Sequence, residues 1–246
     1  MKIRIFLFTF NRPDILELQI KCLLKFTMNE FEIYVIHDSR DDLKDLEFQE
    51  ICKIYDTKYY KHKSTPGKDP SIYHAQSLEW AYHTLVESEC VDDIVIFLDH
   101  DMFLIRDLDF VRLMDDYDIV GPFQVRESIN YIWPGLFFFK ESSLRNIEFD
   151  FNPQNIEGIA VDTGGGTYKL LRNSSLKYKN SGVEYPTEYN GINLNEELVT
   201  KGFNPELHMD NTFFHFRNAS NWHNNYDIQD SKKTEDILNI INSIIK

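Results

Sequence analysis

The sequence predicts an α/β fold, with a mostly parallel central sheet and helices on both faces. Three observations carry that expectation. Strand-like and helix-like segments alternate through the first half in the order β-α-β-α-β-α-β, which in a compact chain gives parallel strands joined by helical crossovers. The strand segments Ile3 to Phe8, Phe31 to Ile36 and Ile94 to Leu98 are nearly continuous apolar runs, the pattern of strands covered on both faces. The polar clusters that follow them, Thr9-Phe10-Asn11-Arg12-Pro13, His37-Asp38-Ser39 and Asp99-His100-Asp101, all fall at carboxyl ends of strands, where open α/β sheets bind ligands.

The elements follow in order. After the first strand, Asn11 to Asp14 is a turn with Pro13 placed to open a helix. That helix runs to about Phe26 and buries Leu16, Ile20, Leu23 and Leu24. A second helix covers about Leu46 to Tyr55 and a short strand Lys58 to Lys61. His62 to Pro70 is a loop that, with its neighbour Lys61, carries Lys63 and Lys68, and Ser71 can cap a long helix ending near Ser88. Asp92 and Asp93, just before the Ile94 strand, read as solvated turn residues. Beyond it the pattern is less regular: a helix over Asp107 to Met114, strands over Ile119 to Phe123 and Tyr131 to Phe139 (the latter interrupted by Trp133-Pro134-Gly135), and Asp162-Thr163-Gly164-Gly165-Gly166 before a short helix to about Arg172. Leu176 to Gly191 reads as a Tyr-rich loop, Asn211 to Phe216 as a late strand, and Ile237 to Ile245 as a terminal helix. With no repeat, linker or composition break, a single domain over 1–246 is expected.

Composition narrows the function. A net charge of −14 argues against a nucleic-acid partner. No apolar run approaches the roughly 20 residues of a transmembrane helix, and Met1-Lys2 leads straight into Ile3, too soon for a cleavable signal. Cys22, Cys52 and Cys90 are too few and too scattered for a disulfide framework or zinc knuckle. These features lead to the expectation of a cytoplasmic enzyme.

Asp99-His100-Asp101 carries most of the chemistry. If the chain stays extended, Asp99 and Asp101 point the same way and His100 opposite. Two carboxylates converging at a sheet edge repel unless a cation lies between them. Mg²⁺ or Mn²⁺, shared with substrate phosphates, satisfies both. The alternative is a pair of turn residues closing a strand.

Taken together, these motifs resemble the GT-A fold glycosyltransferases, Rossmann-like domains, and especially their family-2-like group. The likeness covers about the first 140 residues and continues only through short motifs; His74-Ala75-Gln76-Ser77 matches the helix before the family's D-x-D loosely. The resemblance implies a nucleotide-sugar donor, UDP-sugar ahead of GDP-sugar, bound by the half 1–106, and a glycan or other hydroxyl acceptor bound by the half 107–246 with its C-terminal helix. It implies that Thr9, Asn11, Arg12 and Asp38 serve base, ribose or phosphate, that Asp99 serves ribose and metal, and that Asp101 binds the metal. The simpler alternatives are a Thr9 that only bonds its own turn, an Arg12 in solvent and an Asp38 making an Asx-turn with Ser39.

His215, at the end of the aromatic run Thr212-Phe213-Phe214, resembles the late histidine that several GT-A families use as a third metal ligand; Arg217 and Asn221 would then lie near phosphate. The alternative is a structural His among phenylalanines. Asp162 is the candidate catalytic base for the acceptor hydroxyl, or else the N-cap of its helix; Glu184 and Glu188 are weaker candidates. Trp133 either stacks on a sugar or fills the core. Ile237, Ile240, Ile241, Ile244 and Ile245 form a stripe that is core or a homodimer contact, with weak membrane attachment through Lys232, Lys233 and Lys246 as a lesser reading. The rival functions are a haloacid-dehalogenase-like phosphatase, whose D-x-D normally closes the first strand rather than the fourth, and a catalytically inactive carbohydrate-binding relative. A sugar-nucleotide pyrophosphorylase would need a Gly-rich basic loop that Thr9 to Asp14 does not provide.

Overall fold

A computed structural model describes residues 1–38, 42–65, 70–186, 188–189, 192–193, 205–216 and 238–246. The first half alternates as expected: β1 Ile3–Thr9, α1 Pro13–Phe26, β2 Phe31–His37, α2 Asp42–Ile54, β3 Lys58–Lys61, α3 Pro70–Ala81 and β4 Ile94–Asp99. Between α3 and β4 the helix continues through a π-helical turn, Tyr82–Val86, into a last turn α4, Glu87–Glu89. The second half adds β5 Met102–Leu104, α5 Phe110–Met114, β6 Ile119–Gly121, β7 Phe123–Arg126, β8 Ile129–Ile132, β9 Leu136–Lys140 and α6 Glu141–Leu144. It continues with β10 Gln154–Ile156, β11 Ile159–Val161, α7 Tyr168–Leu171, β12 Tyr178–Asn180, β13 Val183–Glu184, β14 Glu188–Tyr189, β15 Ile192–Asn193, β16 Pro205–His208 and β17 Phe213–Phe216, and ends in a helix over 238–245.

Seven strands form the central sheet in the order β12-β6-β9-β4-β1-β2-β3. All pairings are parallel except those of β9, which runs antiparallel to both β4 and β6. The apolar runs of β1 and β4 are buried on both faces, and their alternate residues enter different clusters. Ile3, Ile5, Leu7, Ile94, Ile96 and Leu98 pack with Leu16, Ile20 and Leu23 of α1 and with Phe48 and Cys52 of α2. Phe6, Phe8, Val95 and Phe97 pack with Ala75 and Leu78 of α3 and with Tyr82. A strand covered on both faces is apolar at nearly every position; the one exception within these two runs is Arg4, whose charge is met by Asp93 and Glu32.

Several local expectations are corrected. Leu24 is 54% exposed; the buried face of α1 takes Gln19 and Cys22 instead. Asp92 is exposed as expected, in a left-handed turn (φ 60), but Asp93 is only 6% exposed. It accepts from the Lys2 backbone N–H at 2.7 Å and from Arg4 Nε at 2.9 Å, anchoring the start of β1 to that of β4. The Asp107 helix is shorter, beginning at Phe110 with Asp109 accepting from the Arg112 N–H. The expected strand over Ile119 to Phe123 divides between two sheets, β6 joining the central one and β7 pairing with β8.

A second, four-stranded antiparallel sheet, β13-β16-β17-β5, adjoins the central one. Ile240 and Ile241 of the terminal helix are buried with Leu18 and Cys22 of α1 and with Phe103, Phe214 and Phe216 of this sheet, so these two residues of the stripe are core. Ile237, Lys232 and Lys233 lie outside the described residues. The three cysteines are free and buried. Among the described residues no helix is long and apolar enough to cross a membrane.

Candidate functional site

The carboxyl ends of β1, β2 and β4 open onto a cavity of about 460 Å³. Thr9, Asp38, Asp99, Asp101, Asp162 and His215 all line it, so the structure gathers six residues that the sequence offers separately. Thr9 is buried and donates its hydroxyl to the Ile36 carbonyl at 3.3 Å, while its own carbonyl accepts from the Asp38 N–H at 3.2 Å. Asp38 is held by Ser64, whose backbone N–H donates to Oδ1 at 3.2 Å and whose hydroxyl donates to Oδ2. Ser39 lies outside the described residues.

Asp99 is the last residue of β4, and the chain turns at His100. The strict alternation expected of the triplet therefore fails: His100 lines the same cavity as both aspartates. The turn is pinned from below by Gln19 of α1, whose side-chain amide donates to the carbonyls of Asp99 and Met102, each at 2.7 Å. From the side, Asp99 N–H donates to the Gly135 carbonyl at 3.0 Å. The Asp99 carboxylate faces His74 of α3, with Nε2 to Oδ1 at 2.8 Å. Burial opposes a charged His74, but Asp99, with Asp101 and Asp162 behind it, outweighs burial and raises the imidazole pKa.

Asp101 faces the second sheet. Because β17 pairs with β5, His215 sits opposite Met102 and the Phe216 N–H donates to the Asp101 carbonyl at 3.0 Å. His215 Nε2 lies 3.4 Å from Asp101 Oδ1, and its Nδ1 lies 2.7 Å from Glu206 Oε2. His208 Nε2 is 3.4 Å from that same Glu206 oxygen. Glu206, His208 and His215 are all buried, with ligand-type atoms within 4.8 Å of one another. Burial works against both charges of the Glu206–His215 pair. Even so, Asp101 and Glu206 push His215 up to about 10, and the two histidines hold Glu206 down to about 2. Burial dominates at His208 and lowers its pKa. Trp133 packs on both rings, 4.9 Å from His215 and 6.0 Å from His208 between centroids, and also lines the cavity.

The donor set suits a divalent cation. Two ligand atoms at about 2.1 Å around an octahedral ion lie roughly 3 Å apart, and the Asp101 oxygen and His215 nitrogen are already at 3.4 Å. A carboxylate with an imidazole is a pairing that Mn²⁺ accepts.

Asp162 also lines the cavity, exposed, with Oδ1 accepting the next N–H, that of Thr163, at 2.8 Å. It does not cap the helix: the turn that follows is opened by Gly164 at φ 89, where a Cβ would lie 2.4 Å from the Ile132 carbonyl. Thr163 ties this loop to α3 by donating to the Ser71 carbonyl at 2.9 Å. Asn11 and Arg12 are not among the cavity residues. Asn11 takes a left-handed turn (φ 51), and Arg12 forks onto Asp14 at 3.0 and 2.9 Å. Val183 and Tyr185, flanking Glu184, line the cavity while Glu184 does not. Arg217, Asn221, Lys68 and the side chain of Glu188 lie outside the described residues. Sequence reading missed Glu206, His208 and the role of His74. The one available signal was the spacing Glu206-Leu207-His208, which puts an acid and an imidazole on one face of a strand.

No family model matches the sequence, and no curated protein matches it either. Solved structures do match. An active-site mutant of LgtC aligns over 96% of this chain and 95% of its own, at 13% identity and a TM-score of 0.58. The galactosyltransferase LgtC in complex with donor and acceptor sugar analogs aligns over 98% and 95%, at 15% identity and 0.56. This chain has a GT-A-type glycosyltransferase fold. The mannosyltransferase PcManGT from Pyrobaculum calidifontis, in complex with GDP-Man and Mn²⁺, aligns over 73% of this chain at 12% identity and a TM-score of 0.50. This chain spans only 54% of that protein's length. In this GT-A frame the seven-stranded sheet corresponds to the Rossmann-like core, and the D-x-D turn closes its central β4.

Proposed function

We propose that the protein is a metal-dependent glycosyltransferase that moves a sugar from a nucleoside-diphosphate donor, UDP-sugar ahead of GDP-sugar, to a glycan or other hydroxyl acceptor. The observation that carries this is the charge of the cavity. Asp38, Asp99, Asp101, Asp162 and Glu206 line it, and among its described lining residues there is no Lys or Arg. An anionic donor entering such a site needs a cation to meet it. Asp101 and His215, with Asp99, are the residues that would hold Mn²⁺ or Mg²⁺, which there would neutralise the charge that develops on a diphosphate leaving group. Asp38 and Thr9 lie at the nucleoside end: a carboxylate has about four acceptor sites, so Asp38 keeps capacity for a base imide or a ribose hydroxyl beside its two bonds from Ser64. Asp162, exposed on the cavity wall, would take the acceptor's proton. The proteins of this fold that hold GDP-Man with Mn²⁺, or donor and acceptor sugar analogs, suit this assignment. The phosphatase alternative requires another fold, with the D-x-D on its first strand.

Thermal shift with UDP, GDP and their sugars, with and without Mn²⁺, tests the proposal. We expect stabilisation by a nucleotide only when the metal is present; at 100 times Kd this amounts to about 2.7 kcal/mol. In Asp101→Ala that gain disappears while the far-UV spectrum is unchanged. No response to any nucleotide, phosphate release from simple phosphomonoesters, or undiminished metal-dependent binding in Asp101→Ala would overturn it. Metal-dependent nucleotide binding without hydrolysis or transfer from any donor sugar would instead identify an inactive relative.

A further inference from the structure

We propose that Glu206 is a positioning residue for the metal centre: its carboxylate fixes the tautomer and ring angle of His215 so that Nε2 faces Asp101. This deepens the proposed function and rests on it.

An imidazole offers either nitrogen, and the neutral ring carries its proton on one of them. Which nitrogen is free to bind a metal is therefore set by the hydrogen bond the other one makes. In this fold strand register makes that choice. β16 and β17 pair so that Glu206 stands directly opposite His215, and directly opposed residues of an antiparallel pair project on the same face. Nδ1 meets Glu206 Oε2 at 2.7 Å, which requires the proton on Nδ1, and Nε2 is left 3.4 Å from Asp101 Oδ1. A flipped ring would turn Nδ1 away from the carboxylate and a carbon toward it. Trp133, at 4.9 Å, flanks the ring, and His208 Nε2 lies 3.4 Å from the same Glu206 oxygen. Neither Glu206 nor His215 is more than 9% exposed by side chain, so water competes little for these bonds.

The test uses Mn²⁺ alone, titrated by electron paramagnetic resonance, on the wild type and on Glu206→Leu and Glu206→Gln. Long-range ¹H–¹⁵N spectra of His215 are recorded on the metal-free proteins at alkaline pH, above the raised His215 pKa, where the ring is neutral and has a tautomer to report. Glu206→Leu should weaken Mn²⁺ binding about 10- to 100-fold, the usual consequence of losing such a partner, and should mix the His215 tautomers. Glu206→Gln keeps an acceptor oxygen, so it should retain the Nδ1–H tautomer and weaken Mn²⁺ by a few-fold at most. Should the leucine variant fail to fold, Glu206→Ala takes its place, and a His215 tautomer in it unchanged from wild type overturns the idea. So does a folded Glu206→Leu that binds Mn²⁺ within about twofold of wild type. If His208→Ala costs as much Mn²⁺ affinity as Asp101→Ala, the Glu206–His208–His215 cluster is itself the metal site and the positioning role is wrong. A wild type that binds no Mn²⁺ defeats the proposed function instead, while the metal-free tautomer still reports on Glu206.

Discussion

Gly135→Ala probes whether the D-x-D turn and the aromatic floor share one close-packed corner. A Cβ at position 135 would lie 2.3 Å from Trp133 Cζ2, 2.5 Å from its Cη2 and 2.6 Å from Asp99 Oδ2. Carbon contacts are comfortable at about 3.5–4.0 Å, so the indole must retreat by roughly 1.2–1.7 Å. The atoms in the way are side-chain atoms, so the backbone pairing of β4 with β9 survives and the fold is kept. The loss in stability should stay near the 1–3 kcal/mol, roughly, of ordinary overpacking. Function should suffer far more. The retreating ring has His215 4.9 Å away, and the other displaced atom belongs to Asp99. Misplacement by about 1 Å at a site of this kind costs on the order of 100-fold. We therefore expect UDP binding in the presence of Mn²⁺, measured by calorimetry, to weaken at least about tenfold, with urea unfolding showing the modest loss above. Affinity within about twofold of wild type in this variant would refute the shared corner.

Two further outcomes test the scaffold. Asp93→Ala leaves the Arg4 guanidinium, 8% exposed, without its buried partner; because Glu32 and the Tyr34 hydroxyl also meet Arg4, the cost should fall at the low end of the usual range, about 3 kcal/mol by urea denaturation, and a loss below about 1 kcal/mol would show that Asp93 is not structural. Asp118 takes bonds from the Ser143 hydroxyl at 2.7 Å and the Lys177 N–H at 2.9 Å; burial pulls its pKa up, but those bonds win and hold it below the ordinary 3.8. A depressed folded-state pKa gives stability that is fully present above the unfolded value and is lost as pH falls through the folded one. The stability gap between wild type and Asp118→Asn should thus be widest above about pH 4 and close below it, and a gap that widens on acidification contradicts the assignment.

The parallel half of the fold was legible because its strands are buried on both faces. Ile94 to Leu98 carries no polar residue to blur the pattern, Ile3 to Phe8 carries only Arg4, and Pro13 marks the first helix start. The antiparallel parts were harder. Met102–Leu104 is three residues long and begins one position after the acidic triplet, so it reads as the tail of a turn. Pro205–His208 spells only Pro-Glu-Leu-His, too short and too polar to stand out, yet it is fully buried between β13 and β17. Gln19 shows the same limit on a helix. A polar residue within the apolar face of α1 reads as an interruption until the carbonyls of Asp99 and Met102, some 80 positions later, are seen to need its two N–H donors.

The site was legible to the same depth. An aspartate that closes an apolar strand announces itself locally, so Asp38, Asp99 and Asp101 could be read from their own neighbours. Their partners come from elements whose register depends on distant pairing: His74 from α3, and Glu206 and His215 from β16 and β17, which begin only at Pro205 and Phe213. Those partners make the two aspartates of the triplet unequal. Asp99 has a histidine at 2.8 Å and is tied through its backbone to Gly135, whereas Asp101 looks across 3.4 Å to an imidazole that Glu206 already holds. Identical residue types two positions apart thus meet different partners: Asp99 is bound to α3 and Gly135, and Asp101 is turned toward the late strands. If that division is right, exchanging the partners matters more than exchanging the acids. His74→Gln should disturb nucleotide binding without abolishing Mn²⁺ binding, because the pair that faces the second sheet does not pass through it.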